Sequence, residues 1–186
     1  MMINSKIINP KLFFNSKHLV GEKVEKSICR LSSLKGIFED EQAFQGLDIN
    51  QAIYRVSSFL SVREGIQGGL FMGITYLMPG KVGDEYFMTK GHFHTKKDRA
   101  EFYWGVEGEG ALILMNESRE VWAERMFPGS LHYIPGGVAH RVANVGDSTL
   151  IFSACWPSDA GHDYATIAQN GFAKRLKEVN GIPQLV

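Results

Sequence analysis

Cysteine is scarce in this chain. Cys29 and Cys155, the two present in 186 residues, lie far apart and neither belongs to a CxxC pair. That spacing gives no disulfide framework and fits a reducing cytosol, with both thiols serving as small apolar groups. A surplus of either charge is also missing, because 20 Lys and Arg balance 20 Asp and Glu. A nucleic-acid or polyanion binder needs excess cation, so no such partner is expected. The longest apolar run is Ala111–Met115, far short of the ~20 residues that cross a bilayer as a helix. The opening stretch, MMINSKIINPKLFF, has no continuous apolar segment and no small-residue cleavage site. No signal peptide is therefore expected, and the protein reads as cytoplasmic and free of membrane partners. Internal repeats and low-complexity linkers are absent as well. What is present is 44% hydrophobic and 22% charged residues, the balance of one ordinary globular domain with a sizeable core.

The texture changes along the chain. Residues 1–60 read as an N-terminal arm, in which Pro10–Phe14 is an apolar patch that something must cover. Ser32–Lys35 and Glu39–Phe44 predict short helical turns ending near Gly36 and Gly46, and Ile53–Leu60 predicts a strand. Residues 66–160 carry short apolar runs, punctuated by Gly and Pro at short, regular intervals. These are Leu70–Met78, Tyr86–His94, Glu101–Val106, Ala111–Met115, Val121–Met126, His132–Ile134, Arg141–Val145 and Leu150–Trp156. Many short strands so spaced predict an all-β sandwich or closed barrel. Residues 161–186 read as a C-terminal extension. Tyr164–Gln169 predicts one or two helical turns, and Ala173–Glu178 and Ile182–Val186 flank Asn180-Gly181, a type I′ hairpin signal. The alternative there is a single short helix over 172–179.

Two segments about thirty residues apart carry the chemistry. The first is His92-Phe93-His94, followed by Glu101 and Gly108; the second runs Gly129, Pro135, Gly137, His140, Asn144. Three imidazoles and one carboxylate suit a divalent transition metal with open positions. Residues two apart on a strand share a face, so His92 and His94 converge. The polar stretch Thr95–Ala100 reads as a loop that returns Glu101 to the same ion, and Tyr103, on Glu101's face, should line the same cavity. His140 follows the glycine turn Ile134–Gly137 and supplies a fourth ligand from elsewhere in the barrel. Such a set leaves one or two positions for substrate oxygens or water, which is catalytic rather than structural in type. His18 and His132 fit neither segment and read as structural.

These segments resemble the two cupin motifs, although six residues separate His94 from Glu101 where three or four are general. Within the cupins, Thr89-Lys90-Gly91-His92-Phe93-His94, Ala100-Glu101-Phe102-Tyr103 and Ala160-Gly161-His162-Asp163-Tyr164 look like the cupin-type phosphoglucose isomerases. Arg30–Leu34, Gly36–Asp40, Pro79-Gly80 and Gly83–Met88 add to the likeness, which spans roughly residues 25–175. The resemblance implies a single cupin jelly-roll (double-stranded β-helix) domain. It also implies a homodimeric cytosolic enzyme interconverting glucose 6-phosphate and fructose 6-phosphate. The metal ligands it implies are His92, His94, Glu101 and His140, and the substrate contacts are Thr75, Thr89, Gly91, Tyr103 and His162. Two positions depart from the family. Trp156 stands where Tyr is expected, and an indole N–H at a substrate-binding position can donate but not accept. Gly137 stands where a bulky aromatic is common, which would widen the cavity on the His140 side.

Aldose–ketose isomerisation moves a hydrogen between C1 and C2. A proton route needs a base at carbon and an acid at the carbonyl, a hydride route needs mainly an electrophile, and a metal ion serves either. Glu101 is the obvious base, though a bound cation lowers its basicity. His162 is the second candidate, with an imidazole pKa near ~6.5, and Tyr103 is placed to hydrogen-bond a substrate oxygen. Hydroxyl and backbone N–H donors of Thr75, Thr89 and Gly91 are expected at the phosphate, with Lys90 or Lys96 as further sources of charge. On a regular strand Thr89 and Gly91 would face away from His92 and His94. Both sets reach one cavity only if the strand breaks, and Gly91 is the natural place. The ligand set suits iron(II) first, and also manganese(II), zinc or nickel. Two other functions compete: an iron-dependent dioxygenase, and a non-catalytic sugar-phosphate-binding cupin. Turnover without oxygen on redox-inactive metals separates the isomerase from the former.

Overall fold

The computed structural model describes residues 10–15 and 17–186. The described residues begin with the hairpin β1 (Leu12–Asn15) and β2 (His18–Gly21), then β3 (Val24–Arg30), a 3-10 turn (Leu31–Leu34), the helix α1 (Glu41–Gln45) and β4 (Ala52–Leu60). The middle carries β5 (Leu70–Leu77), β6 (Lys81–Val82), β7 (Glu85–Tyr86), β8 (Glu101–Glu107), β9 (Gly110–Met115) and β10 (Val121–Met126). After β11 (Leu131–Ile134), β12 (Ala139–Asn144) and β13 (Leu150–Pro157), the chain ends in α2 (Tyr164–Asn170), β14 (Leu176–Val179) and β15 (Ile182–Leu185). No helix among the described residues is long and apolar enough to cross a membrane.

Six strands in the order β11-β8-β13-β5-β4-β3 form one layer, and β10-β9-β12 form part of the other. The smaller sheet β15-β14-β7-β6 joins that second layer through residues 87–93. This stretch continues from β7 and runs antiparallel beside β12, bridging Met88 to Ala143 and His92 to His140. The result is the two-layer, mostly β jelly roll that the cupin resemblance implies. Leu77, Leu112, Leu114, Val142, Leu150 and Phe152 belong to its main core. β9 is buried on both faces, which explains its unbroken apolar run. Its outward Met115 meets the C-terminal extension, where the Ala173 N–H points at Met115 Sδ.

The segment expected as an arm contributes more than a covering. β3 and β4 pair along their length and extend the six-stranded sheet beyond β5. Leu12, Phe13 and Phe14 of the apolar patch lie in β1, whose hairpin with β2 packs Leu12 and Leu19 against Ile74 and Ile151 of the main sheet. Phe13 and Phe14 stay about half exposed, at 52% and 46%. The signal-peptide expectation rests mostly on residues 1–9, outside the described residues. The expected strand Tyr86–His94 is broken, and only its first residue lies in a named strand. At the C-terminus Asn180 and Gly181 take φ of 54° and 75°. The type I′ hairpin therefore forms instead of a helix over 172–179.

Candidate metal centre

Gly91 shapes the site. Its φ of +78° is a left-handed conformation that favours glycine. Before the kink, Thr89 N–H donates to Val142 O at 2.8 Å. The Val142 N–H in turn donates to Thr89 Oγ1 at 3.0 Å. The threonine oxygen thus accepts one bond while its own proton stays free to donate. Beyond the kink, His92 and His140 exchange backbone hydrogen bonds of 3.3 and 3.1 Å. The break lets Thr89 and His92 face one cavity. Phe93 and Asp163 also exchange backbone bonds, of 3.3 and 2.8 Å, which tie the loop carrying His162 to the ligand strand.

His92, His94, Glu101 and His140 each offer one ligand atom, and these atoms all lie within 4.8 Å of one another. His92 Nε2, His94 Nε2, His140 Nε2 and Glu101 Oε1 are buried without a hydrogen-bond partner. Glu101 Oε1 comes within 2.5 Å of His140 Nε2 and 3.3 Å of His94 Nε2, but neither approach has hydrogen-bond geometry. Buried polar atoms are rarely left unpaired, and four that converge match what a cation would satisfy. The outer nitrogens are already engaged. His94 Nδ1 lies 2.8 Å from Arg99 O and His140 Nδ1 lies 3.1 Å from Val138 O. Donating there fixes the tautomer that leaves each Nε2 as a lone pair.

Electrostatics agree with this. Burial opposes a charge on Glu101, but His140 and His94 beside it prevail and hold its carboxyl at about 2. Burial, reinforced by three neighbouring imidazoles, pushes His92 well below its ordinary value and keeps it neutral. On His94 burial also acts downward, but Glu101 and the Arg99 carbonyl outweigh it and the net shift is up. Three imidazoles and an ionised carboxylate fit a divalent transition metal.

The cavity beside these ligands holds about 160 Å³. Thr75, Thr89, Gly91, Tyr103, Trp156 and His162 all line it, with His92, Glu101 and His140. His94 is buried behind the lining. Tyr103 packs against His140 and Phe152, with ring centres 5.6 and 5.4 Å away. Burial and Glu101 raise its pKa well above the ordinary value, so it keeps its proton and acts as a donor. The His162 ring stacks on Tyr164 at 5.6 Å and meets His92 edge-on at 4.4 Å. Burial lowers its pKa, leaving a neutral imidazole near pH 7. Trp156 sits over Gly73, where a Cβ would come within 3.1 Å of the indole ring.

Other expected positions resolve differently. Gly137 lies in the turn before β12 and is not among the residues that line the cavity. A Cβ on Gly137 would approach only Lys97 O, at 4.0 Å. Lys90 lines the cavity with its Nζ 4.9 Å from the Tyr164 ring centre. Lys96 is committed elsewhere, because it joins Arg99 on the buried Asp159 with contacts of 2.8 to 3.0 Å. His18 and His132 bond locally, to Tyr76 and to Glu124 and Ser130. Tyr54 and Tyr164 line the cavity without having been singled out. Tyr164 closes the Ala160–Tyr164 block and was within reach of the sequence. Tyr54 required knowing that β4 pairs with β5.

The family model described as Glucose-6-phosphate isomerase (GPI) matches residues 29–182. A glucose-6-phosphate isomerase of Thermococcus litoralis is 44% identical over 162 residues, covering 86% of this chain and 84% of that protein. One of Pyrococcus abyssi is 42% identical over 176 residues, covering 95% and 92%. Among solved structures, an oxalate decarboxylase from Bacillus subtilis aligns with a TM-score of 0.45 and 18% identity, over 59% of this chain and only 26% of that one.

Proposed function

The chain belongs to the glucose-6-phosphate isomerase family, and from that premise we propose that its cavity interconverts glucose 6-phosphate and fructose 6-phosphate with the help of one divalent metal. The observation that carries this reading is the convergence of four buried, unpartnered atoms from two separated stretches of chain. His92, His94, Glu101 and His140 would hold the ion. When bound, the ion supplies Lewis-acid polarisation of the substrate oxygens.

The remaining side chains divide the other tasks. Glu101, held as a carboxylate at about 2, is a weak base while it stays a ligand. His162 is the better proton carrier, since a neutral imidazole can take the proton from C2 of the aldose and return it to C1. Tyr103 donates its O–H to a sugar oxygen. Thr75, Thr89 and Gly91 receive the phosphate, with Lys90 adding charge. Trp156 borders the sugar and offers a donor only.

Iron(II) is the ion we propose first. The whole chain acts as one cupin domain, with residues 66–160 as the barrel core. It works in the cytoplasm, which is supported by its two free cysteines. A homodimer is supported by exposed apolar side chains such as Phe13 at 52%, Leu131 at 67% and Tyr133 at 56%. The test is a coupled assay for glucose 6-phosphate formed from fructose 6-phosphate, run with and without chelator. Activity should vanish on chelation and return with added metal. His140→Ala should lose both metal and turnover; full turnover by a metal-free H140A protein would end this reading.

A further inference from the structure

Arg141 is a buried cation that the proposed chemistry does not use. It lies on β12 beside His140, but its side chain points to the opposite face, in register with Ile113 of β9. Only 3% of it is exposed. Its guanidinium carbon sits 4.2 Å from the ring centre of Phe172, and its Nε is buried without a hydrogen-bond partner. Among the described residues it has no ion-pair partner. The nearby carboxylate is Glu85, whose Oε1 accepts from Arg175 Nη1 at 2.8 Å and whose Oε2 accepts from Glu39 N–H at 2.6 Å. Both Glu85 oxygens are thus taken by Arg175 and a backbone N–H, and the charge of Arg141 is left without a direct partner.

A desolvated charge without a partner is costly, and an apolar side chain of similar volume is often the more stable choice. Its position explains its presence. A Cβ on Gly91 would fall 3.1 Å from Arg141 Cβ and 3.3 Å from Arg141 Cδ. Gly91 itself lines the cavity beside Thr89 and Lys90. The Phe172 ring and the stem of Arg141 thus pack directly behind the Gly91 backbone, at the end of the cavity assigned to the phosphate. From this depth its field reaches the cavity with less screening than that of a surface charge.

We infer that Arg141 is a specificity residue: a buried cation behind Gly91 that selects phosphorylated sugars without touching them. The inference rests on the sugar-phosphate reading of the cavity and deepens it. Phe172, from the C-terminal extension, is the platform that holds the guanidinium in place.

The test compares the metal-loaded protein with R141M and R141K, using inorganic phosphate and the neutral polyol sorbitol as competitors of turnover. R141M should weaken inhibition by phosphate about 10-fold and raise KM for fructose 6-phosphate similarly. Inhibition by sorbitol and metal content should stay within about twofold of the parent. R141K, which keeps the charge, should recover most of the phosphate affinity. R141Q serves as the neutral variant if R141M does not fold. The inference fails if a folded neutral variant binds phosphate as the parent does. It fails equally if phosphate and sorbitol weaken together, or if R141K behaves like R141M. An unaltered protein that turns over sugar phosphate yet ignores inorganic phosphate also overturns it. Absence of all turnover in the unaltered, metal-loaded protein would instead sink the isomerase reading beneath it.

Discussion

Gly91→Ala should damage both the stability and the metal site. At φ +78° an L residue pays roughly 1–2 kcal/mol for the left-handed backbone. The new methyl would also lie 3.0 Å from Phe172 Cε2 and 3.1 Å from Arg141 Cβ. Neither neighbour is free to retreat, so overpacking adds about 1–3 kcal/mol. The combined loss of about 2–5 kcal/mol is a large share of a typical ~5–15 kcal/mol. Straightening the strand would relieve the strain, but only by turning Thr89 or His92 out of the cavity. Urea unfolding of the metal-free protein reads the first effect; with a slope of ~2 kcal/mol/M, the midpoint should drop by roughly 1–2.5 M. Calorimetric titration with zinc reads the second, as weakened binding. A G91A protein that unfolds within about 0.5 kcal/mol of the parent and binds zinc equally well would refute the reasoning.

His162→Asn should lower kcat by roughly 10²–10⁴-fold, the usual worth of a general base, while zinc affinity holds; unchanged kcat would return the proton-transfer role to Glu101. The Asp159 carboxyl is held below the usual carboxylate range, first by hydrogen bonds from Arg99 and then by Lys96. A lowered folded value gives stability that is complete above the unfolded pKa near ~3.9 and fades as pH falls below it. The parent should therefore lose stability more steeply than D159N in metal-free unfolding series taken from pH 6 down to 3; parallel curves would contradict the assignment.

What the sequence made legible was local chemistry. Asn180-Gly181 demanded positive φ, and the hairpin followed. The break at Gly91 could be foreseen because Thr89 and His92 made incompatible demands on one regular strand. The group of His92, His94, Glu101 and His140 was legible because its residue types and spacing suit one ion, and the structure brings its ligand atoms within 4.8 Å of one another. β3 was not, since Val24–Arg30 is an edge strand with a burial pattern of mostly exposed residues. Its identity comes from pairing with β4, not from its own alternation. Tyr54 was hidden for a related reason: its place on the cavity follows from the β4–β5 register, in which its neighbour Val56 faces Thr75. Arg141 read as one more residue of an apolar strand, and only the packing of Phe172 exposed its isolation.

X-ray absorption on the zinc-loaded protein bears most directly on the claim that four side chains grip one cation. One zinc per chain should show imidazole nitrogens from three histidines at ~2.0–2.1 Å and a carboxylate oxygen at ~2.0–2.2 Å, and H140A should lose one imidazole or the ion altogether. A sulfur shell, fewer than three imidazoles, or a spectrum unchanged in H140A would contradict it.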